Sequence, residues 1–149
     1  MARRVFFSFH YERDIWRASI VRNSWITKPD RKASGFFDAS IWEEAKKKGD
    51  AAIKRMIDNA LVGTSVTAVL VGNQTANRDY VKYEIQQSIK RGNALLGVRI
   101  EKIENSKGKV DNAGPNPLPA KYKLYRWNAD KGYKNFGAWV EAAAKAAGK

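Results

Sequence analysis

The residues best suited to chemistry lie close together, in a polar loop at 72–78 and in Tyr80 and Glu84 just after it. Exposed N–H groups at the start of a helix, beside a cation such as Arg78, form a favourable place for a phosphate group. Glu84 lies about one helical turn beyond Tyr80, so both side chains can face one cleft. The same pattern also fits an ordinary helix cap by Thr75 or Asn77 and a surface glutamate, so both interpretations stay open.

Two further candidates follow other predicted strands. His10 comes after the first strand, where an imidazole could contact a phosphate or a ribose, although a lone histidine there is more often a polar loop residue. Asp38 comes after the second, where it could bind a ribose hydroxyl or orient Ser40 at the start of the next helix. The lysines at 46–48 are typical of a solvated helix face.

Composition excludes several classes of chemistry. The chain has no cysteine and one histidine, which excludes thiolate nucleophiles and disulfides and argues strongly against a Ser-His-Asp triad or a multi-histidine metal centre. No GxGxxG or P-loop motif occurs, so a dinucleotide-binding Rossmann domain and a P-loop NTPase are disfavoured. The remaining chemistry has to use carboxylates, hydroxyls, amides or cations, with no metal and no cofactor.

The net charge is the most unusual property of the composition. With 28 Lys and Arg against 15 Asp and Glu, the formal charge is +13, which suggests a polyanionic partner. Direct nucleic-acid binding is nevertheless disfavoured, because no basic helix and no RNA-binding motif with interleaved aromatics is found. No apolar run approaches the length of a membrane span and the N-terminus does not fit a signal peptide, so we expect a cytoplasmic protein with no membrane partner.

The elements that must position these residues alternate along the chain. Apolar and β-branched runs predict five strands, at 4–9, 35–39, 66–71, 94–100 and 124–127. Helices are predicted at 14–25, at 78–91 with Val81, Ile85, Ser88 and Ile89 on its apolar face, and at 136–147. A further helix runs from a capping box at Ser40 to residue 61, with a break at 46–50. Residues 101–119, rich in proline, predict a long irregular excursion.

This alternation predicts the fold class. Strands that alternate with helices indicate a parallel sheet with helices on both faces, within one domain of residues 1–149. Ligands bind such folds at the carboxyl ends of the strands, near the point where strand order reverses. The loops at 10–14, 38–40 and 72–78 are therefore the places where a site is expected.

The combination of these segments resembles a known family. Residues 5–10, 35–38 and 65–75, with Arg78 and 80–85, resemble the TIR-like proteins that act as sensors in bacterial Thoeris antiphage systems. The resemblance extends over roughly residues 3–127. It implies a flavodoxin-like, TIR-like three-layer sandwich with a five-stranded parallel sheet.

The resemblance also implies a function and a set of site residues. Members of the family consume NAD on infection and make a cyclic ADP-ribose signal, which activates a separate effector. Their Trp-Cys-x-x-Glu-type motif corresponds to Tyr80, Val81 and Glu84, with Tyr and Val as departures, and it makes Glu84 the catalytic residue. The substrate-binding positions that the resemblance implies are Ser8, Phe9, His10, Asp38, Asn77, Arg78 and Tyr80.

The partners implied are NAD as substrate, a phage-derived trigger, other copies of the chain that complete the active site, and an effector reached through the diffusible signal.

The chemistry suits one carboxylate, because nicotinamide leaves as a neutral group and needs no general acid, unlike an ordinary glycoside. Two other hypotheses stay open at this point: a non-catalytic TIR-like module for sensing or interaction, and a basic nucleic-acid-binding domain.

Overall fold

Five parallel strands form the centre of the protein, for which a computed structural model describes residues 3–37 and 39–149. They are β1 (Arg3–Ser8), β2 (Arg31–Ser34), β3 (Val66–Val71), β4 (Ala94–Arg99) and β5 (Leu124–Arg126). The strand order is β2-β1-β3-β4-β5, and every neighbouring pair is parallel. This is the flavodoxin-like order, whose reversal point lies between β1 and β3.

Helices cover both faces of this sheet. They are α1 (Tyr11–Trp25), α2 (Ala39–Lys48), α3 (Asp50–Leu61), α4 (Asp79–Lys90) and α5 (Gly132–Ala146), with a 3-10 turn at Thr75–Asn77. Helices α1 and α5 pack on one face, and α2, α3 and α4 on the other. The predicted three-layer α/β class is confirmed, and so is the predicted break between α2 and α3, at Gly49. No helix in the described part of the chain is long and apolar enough to cross a membrane.

Alternation along the strands decides which side chains meet which helices. In β1, Val5 and Phe7 join the core beneath α1 and α5, whereas Phe6 packs against α2 and α3. Because successive side chains point to opposite faces, Ser8 shares the face of Phe6. The last residue of β1 therefore points a hydroxyl toward the layer that contains α4.

The predicted second strand at 35–39 is wrong, since the strand is Arg31–Ser34 and residues 35–37 are irregular. Its sequence is polar because it lies at the edge of the sheet, so it lacks the apolar pattern by which strands are identified. Gly35 has a φ of +91°, and a Cβ there would lie 2.4 Å from the Phe7 carbonyl oxygen. The chain thus leaves the sheet at a position that only glycine fits.

Smaller corrections concern helix limits and faces. Helix α1 begins at Tyr11 rather than at residue 14, and α5 begins at Gly132 rather than at 136. Ile89, predicted on the apolar face of α4, is 43% exposed, and its place in the buried stripe is taken by Glu84. A buried carboxylate at a helical apolar position is a feature that hydrophobic periodicity does not predict.

A buried ion pair fastens the long irregular segment to α1. The carboxyl of Asp14 and the guanidinium of Arg17 are both almost fully buried and lie 3.3 Å apart. Arg17 also lies 2.9 Å from the Asp111 carboxylate and donates to the Ile103 and Lys109 carbonyl oxygens. One guanidinium therefore binds acceptors at three positions between residues 103 and 111 of the predicted excursion, and this network was missed in the sequence.

Replacing Arg17 with methionine should destabilise the fold by about 3 kcal/mol, because it leaves the Asp14 carboxyl buried without its counter-ion. Arg13→Gln is the matched control, since Arg13 forms a more exposed pair with Asp111 at 3.1 Å. That change should cost less than about 1 kcal/mol. Urea denaturation measures both, and equal losses for the two variants would contradict the importance of the buried pair.

Candidate active site

Glu84 lies on the buried stripe of α4, together with Val81, Ile85 and Ser88. Since α4 packs over β1 and β3, this stripe brings the carboxyl to the end of β1. There the Ser8 hydroxyl donates a hydrogen bond of 2.6 Å to Oε1 of Glu84. The periodicity of α4 and the alternation along β1 thus bring Glu84 and Ser8 together at the reversal point of the sheet, where this fold binds ligands.

Burial controls the charge of this carboxyl. Desolvation raises the pKa of Glu84 to about 8, while the hydrogen bond from Ser8 acts in the opposite direction and is weaker. No cation contributes to the shift, although Arg78 lines the same cleft. Glu84 is therefore protonated at neutral pH in this closed conformation, and contact with water would restore its negative charge.

Aromatic side chains form the walls of the cleft above Glu84. The Trp42 ring lies at their centre, 4.9 Å from Tyr11 and 6.2 Å from Tyr80 between ring centroids. The space that a water-sized sphere can occupy is about 20 Å³, so the cleft holds little more than one water molecule. The residues that line it are Phe7, Phe9, Tyr11, Gly35, Phe37, Trp42, Arg78, Tyr80, Val81 and Glu84.

Ionic and polar contacts hold the mouth of the cleft together. Arg78 Nη2 lies 3.3 Å from a Glu12 carboxylate oxygen, and that oxygen lies 3.7 Å from the Lys46 ammonium. The Tyr80 hydroxyl donates to Asp50 at 3.0 Å, which joins α4 to α3. These contacts are partly exposed, so each contributes little to stability and can exchange for a ligand. Arg78 is the cation placed to meet an incoming anion.

The structure brings together five of the eight residues predicted for the site. Glu84, Phe9, Arg78 and Tyr80 line the cleft, and Ser8 lies beneath it in contact with Glu84. These positions agree with the predicted roles, which stay predictions.

Of the other three, His10 and Asn77 do not line the cleft. His10 caps α1, where Nδ1 accepts a hydrogen bond from the Arg13 N–H at 3.2 Å. Burial, followed by the positive charge of Arg78, lowers the pKa of His10 and keeps the imidazole neutral. Asn77 is exposed in the 3-10 turn and does not line the cleft, and Asp38 lies outside the described residues.

The cleft residues missed from the sequence include Tyr11, Phe37 and Trp42. The Tyr11 hydroxyl donates to the Phe37 carbonyl oxygen, and this contact closes the loop after β2 over the cleft. The Trp42 indole N–H is buried and has no hydrogen-bond partner in the described part of the chain. All three follow the carboxyl ends of β1 and β2, and this position could have identified them.

No group of three acidic or histidine side chains suited to a metal ion occurs within residues 3–37 and 39–149. The arrangement offers a single buried carboxyl, an adjacent hydroxyl, aromatic walls and one cation at the mouth. If the cleft opens, these groups can contact a flat, anionic molecule, and an ionised Glu84 can stabilise positive charge that develops next to it.

A flavodoxin-like parallel sheet with a helix-borne glutamate at the β1/β3 reversal point defines a TIR-like protein. Residues 6–105 match the family described as "Thoeris protein ThsB, TIR-like domain". The chain belongs to this family, as its resemblance in sequence had predicted. The match runs from the second half of β1 through β4 and includes every residue that lines the cleft.

A named relative extends the similarity to almost the whole chain. A protein of Bacillus cereus (strain MSX-D12) with the name "Putative cyclic ADP-D-ribose synthase ThsB1" is 38% identical over 191 aligned positions. The alignment covers 94% of this chain and all of the relative.

Glu84→Gln should make the stability of the protein less dependent on pH. The folded pKa, about 8, lies above the ordinary value of 4.5, so the folded state keeps a proton that the unfolded state has lost. The free energy of unfolding must then decrease as pH rises between these two values. The amide cannot ionise, so Glu84→Gln should be more stable than the parent at alkaline pH, by roughly 3 to 6 kcal/mol at most.

Urea denaturation of both proteins between about pH 5 and pH 9 measures this difference. Taking the difference between the two proteins cancels the other titrating groups, including Asp14, whose pKa burial also raises. Parallel stability curves for the parent and Glu84→Gln would contradict a buried, protonated Glu84.

Ser8→Ala should raise the pKa of Glu84 further, because the Ser8 hydroxyl donates to the carboxyl and favours its charged form. The pKa can be followed by the carbon-13 shift of the Glu84 carboxyl in a pH titration. Ser24→Ala is a suitable control, since its hydroxyl donates to a carbonyl oxygen within α1. A lower or unchanged pKa in Ser8→Ala would show that the hydrogen bond does not stabilise the carboxylate.

Proposed function

We propose that this protein cleaves the bond between nicotinamide and ribose in NAD and joins the remaining ADP-ribose into a cyclic signal for antiphage defence. The observation that carries the proposal is the buried Glu84 carboxyl, hydrogen-bonded to Ser8 in an aromatic cleft. Membership of the Thoeris family supports the defence role. The name of the Bacillus cereus relative supports the cyclic product.

The first step breaks the bond from the ribose anomeric carbon to the nicotinamide nitrogen. The electron pair leaves with nicotinamide, which becomes neutral, so no acid has to protonate the leaving group. Positive charge develops on the ribose, and the Glu84 carboxylate stabilises it only near the transition state. The Ser8 hydroxyl positions this carboxylate from beneath, and the aromatic walls suit the two flat ring systems of NAD.

The second step closes the ring. A hydroxyl of the same ADP-ribose attacks the anomeric carbon and loses its proton, which the Glu84 carboxylate can accept. Cyclisation wins over hydrolysis when the cleft excludes water and holds the nucleophile in place, since positioning gives a high effective concentration. Arg78, released from Glu12, would bind the pyrophosphate at the cleft mouth.

The conformation described above is suited to a resting enzyme. The cleft has space for about one water molecule, and Glu84 is protonated there at neutral pH, so substrate entry and the carboxylate both require opening. Opening would hydrate Glu84 and lower its pKa. The same movement would therefore admit the substrate and produce the charged carboxylate that catalysis needs. A phage-derived trigger that favours self-association could supply this opening, and the cyclic product would then carry the signal to a separate effector.

Glu84→Gln should abolish formation of nicotinamide and of the cyclic product in phage-infected cells, with at least a roughly hundredfold loss. Both compounds are measured in cell extracts by liquid chromatography and mass spectrometry. Glu44→Gln is the matched control, because Glu44 is 68% exposed and pairs with Lys48 on the surface of α2. It removes the same charge without touching the cleft.

The result distinguishes the enzyme from a non-catalytic sensing module. For the enzyme, infected cells that carry the parent or Glu44→Gln form the product, and cells that carry Glu84→Gln do not. If the Glu84→Gln protein still protects cells without any cyclic product, the interaction module is the better description.

A further inference from the structure

A second pocket lies at the amino ends of the strands, where β1 and β2 begin. Its walls are formed by Arg3, Trp25, Lys28, Asp30, Arg31, Glu141 and Lys149, and it encloses about 320 Å³. β1 rises about 3.3 Å per residue, so roughly 16 Å of strand separate Arg3 from Ser8 at the cleft. The pocket is therefore distinct from the Glu84 site, and an inference about it goes beyond the proposed function.

Arg31 is the best positioned of the cations in this pocket. Its guanidinium carbon lies 4.5 Å from the centroid of the Trp25 ring, on which it stacks. Trp25 is itself buried, and its indole N–H donates to the Lys32 carbonyl oxygen at 2.9 Å. A rigid aromatic surface thus fixes the plane of the guanidinium and leaves its edge free to donate.

Gly137 provides the space in which this guanidinium lies. A Cβ at Gly137 would come within 2.3 Å of Arg31 Nη2, although Gly137 is inside α5 and glycine weakens a helix interior. The helix therefore carries an unfavourable residue at the point where the guanidinium approaches it. Among the described residues, Arg31 has no carboxylate within ion-pair distance.

The neighbouring cation, Arg3, already has a carboxylate partner. Arg3 is the partner of Arg31 across β1 and β2. It donates to both carboxylate oxygens of Glu141, at 2.9 and 3.1 Å, and to the Ser65 hydroxyl at 3.0 Å. Two like charges at adjacent strand positions repel each other, and Glu141 compensates only the first. The donors of Arg31 are left for another anion.

We propose that this pocket binds the phosphoryl group of a small phosphorylated molecule through Arg31. A phosphoryl group suits the pocket because it carries more than one negative charge and accepts paired hydrogen bonds from the guanidinium edge. Lys28 and Lys149 supply further positive charge around it, whereas Asp30 and Glu141 are the carboxylates that line the pocket. The ligand is either free phosphate or a phosphorylated metabolite.

Isothermal titration of the full chain with inorganic phosphate, adenosine monophosphate and adenosine, at constant ionic strength, tests the proposal. Phosphate and adenosine monophosphate should bind, and adenosine should not. Tighter binding of adenosine monophosphate would identify a phosphorylated metabolite as the ligand, and equal binding would assign the site to the phosphoryl group alone. Equal binding of adenosine would overturn the proposal.

Three variants separate the pocket from general attraction to a cationic protein. Arg31→Gln should weaken phosphate binding at least about tenfold. Arg55→Gln removes an equal charge from an exposed position on α3 and should change it less than about twofold. Gly137→Ala keeps every charge, favours the helix and displaces the guanidinium, so it should weaken binding without lowering the melting temperature.

Equal losses in Arg31→Gln and Arg55→Gln would show diffuse attraction and overturn the proposal. Parental affinity in Gly137→Ala would also overturn it, because the guanidinium position would then be irrelevant. If Arg31→Gln does not fold, Gly137→Ala alone decides the outcome. None of these measurements depends on NAD turnover, so failure here and failure of the proposed enzyme activity are distinguishable.

Discussion

Burial of the Glu84 carboxyl is the constraint on which the rest of the candidate active site depends. An ionised carboxylate loses far more hydration on burial than a single hydrogen bond from Ser8 returns, so the closed site keeps it neutral. That state requires α4 to lie over the junction of β1 and β3 with its apolar stripe inward. It also requires the aromatic cluster around Trp42 to exclude water. The charge of Glu84 therefore depends on the sheet topology, because the packing of α4 on the sheet determines how far the carboxyl is desolvated.

The buried guanidinium of Arg17 differs from the Glu84 carboxyl, because oppositely charged and polar groups compensate its burial. Arg17 is even less exposed than Glu84, and two carboxylates and two carbonyl oxygens surround its guanidinium. Arg31 lies against an aromatic ring and in the space left by Gly137, with no carboxylate of the described residues within ion-pair distance. The cations that make up the formal charge of +13 thus have different roles. Some cations are structural, and a few are placed to receive a ligand.

The sequence predicts those parts of the fold whose residues are buried on regular periods. Strand β3 was predicted with its observed limits, and α4 within one residue at each end, because both are governed by apolar burial. Strand β2 was missed since an edge strand with solvent on one side needs no apolar pattern. Glu84 was found through its motif, but its burial, its bond to Ser8 and the cover formed by Trp42 depend on contacts between distant segments.

The coupling between access and charge follows from these contacts. A movement that admits a dinucleotide has to displace side chains that line the cleft, such as Phe37 and Trp42, because the space beside Glu84 holds about one water molecule. Water or substrate hydroxyls then replace apolar contacts around Glu84. Its pKa falls, and the carboxyl is ionised at neutral pH. A closed cleft consequently holds a neutral acid with no catalytic charge, while an open one holds a carboxylate. For the proposed cleavage of NAD, this arrangement would confine the catalytic charge to a cleft that is occupied or open.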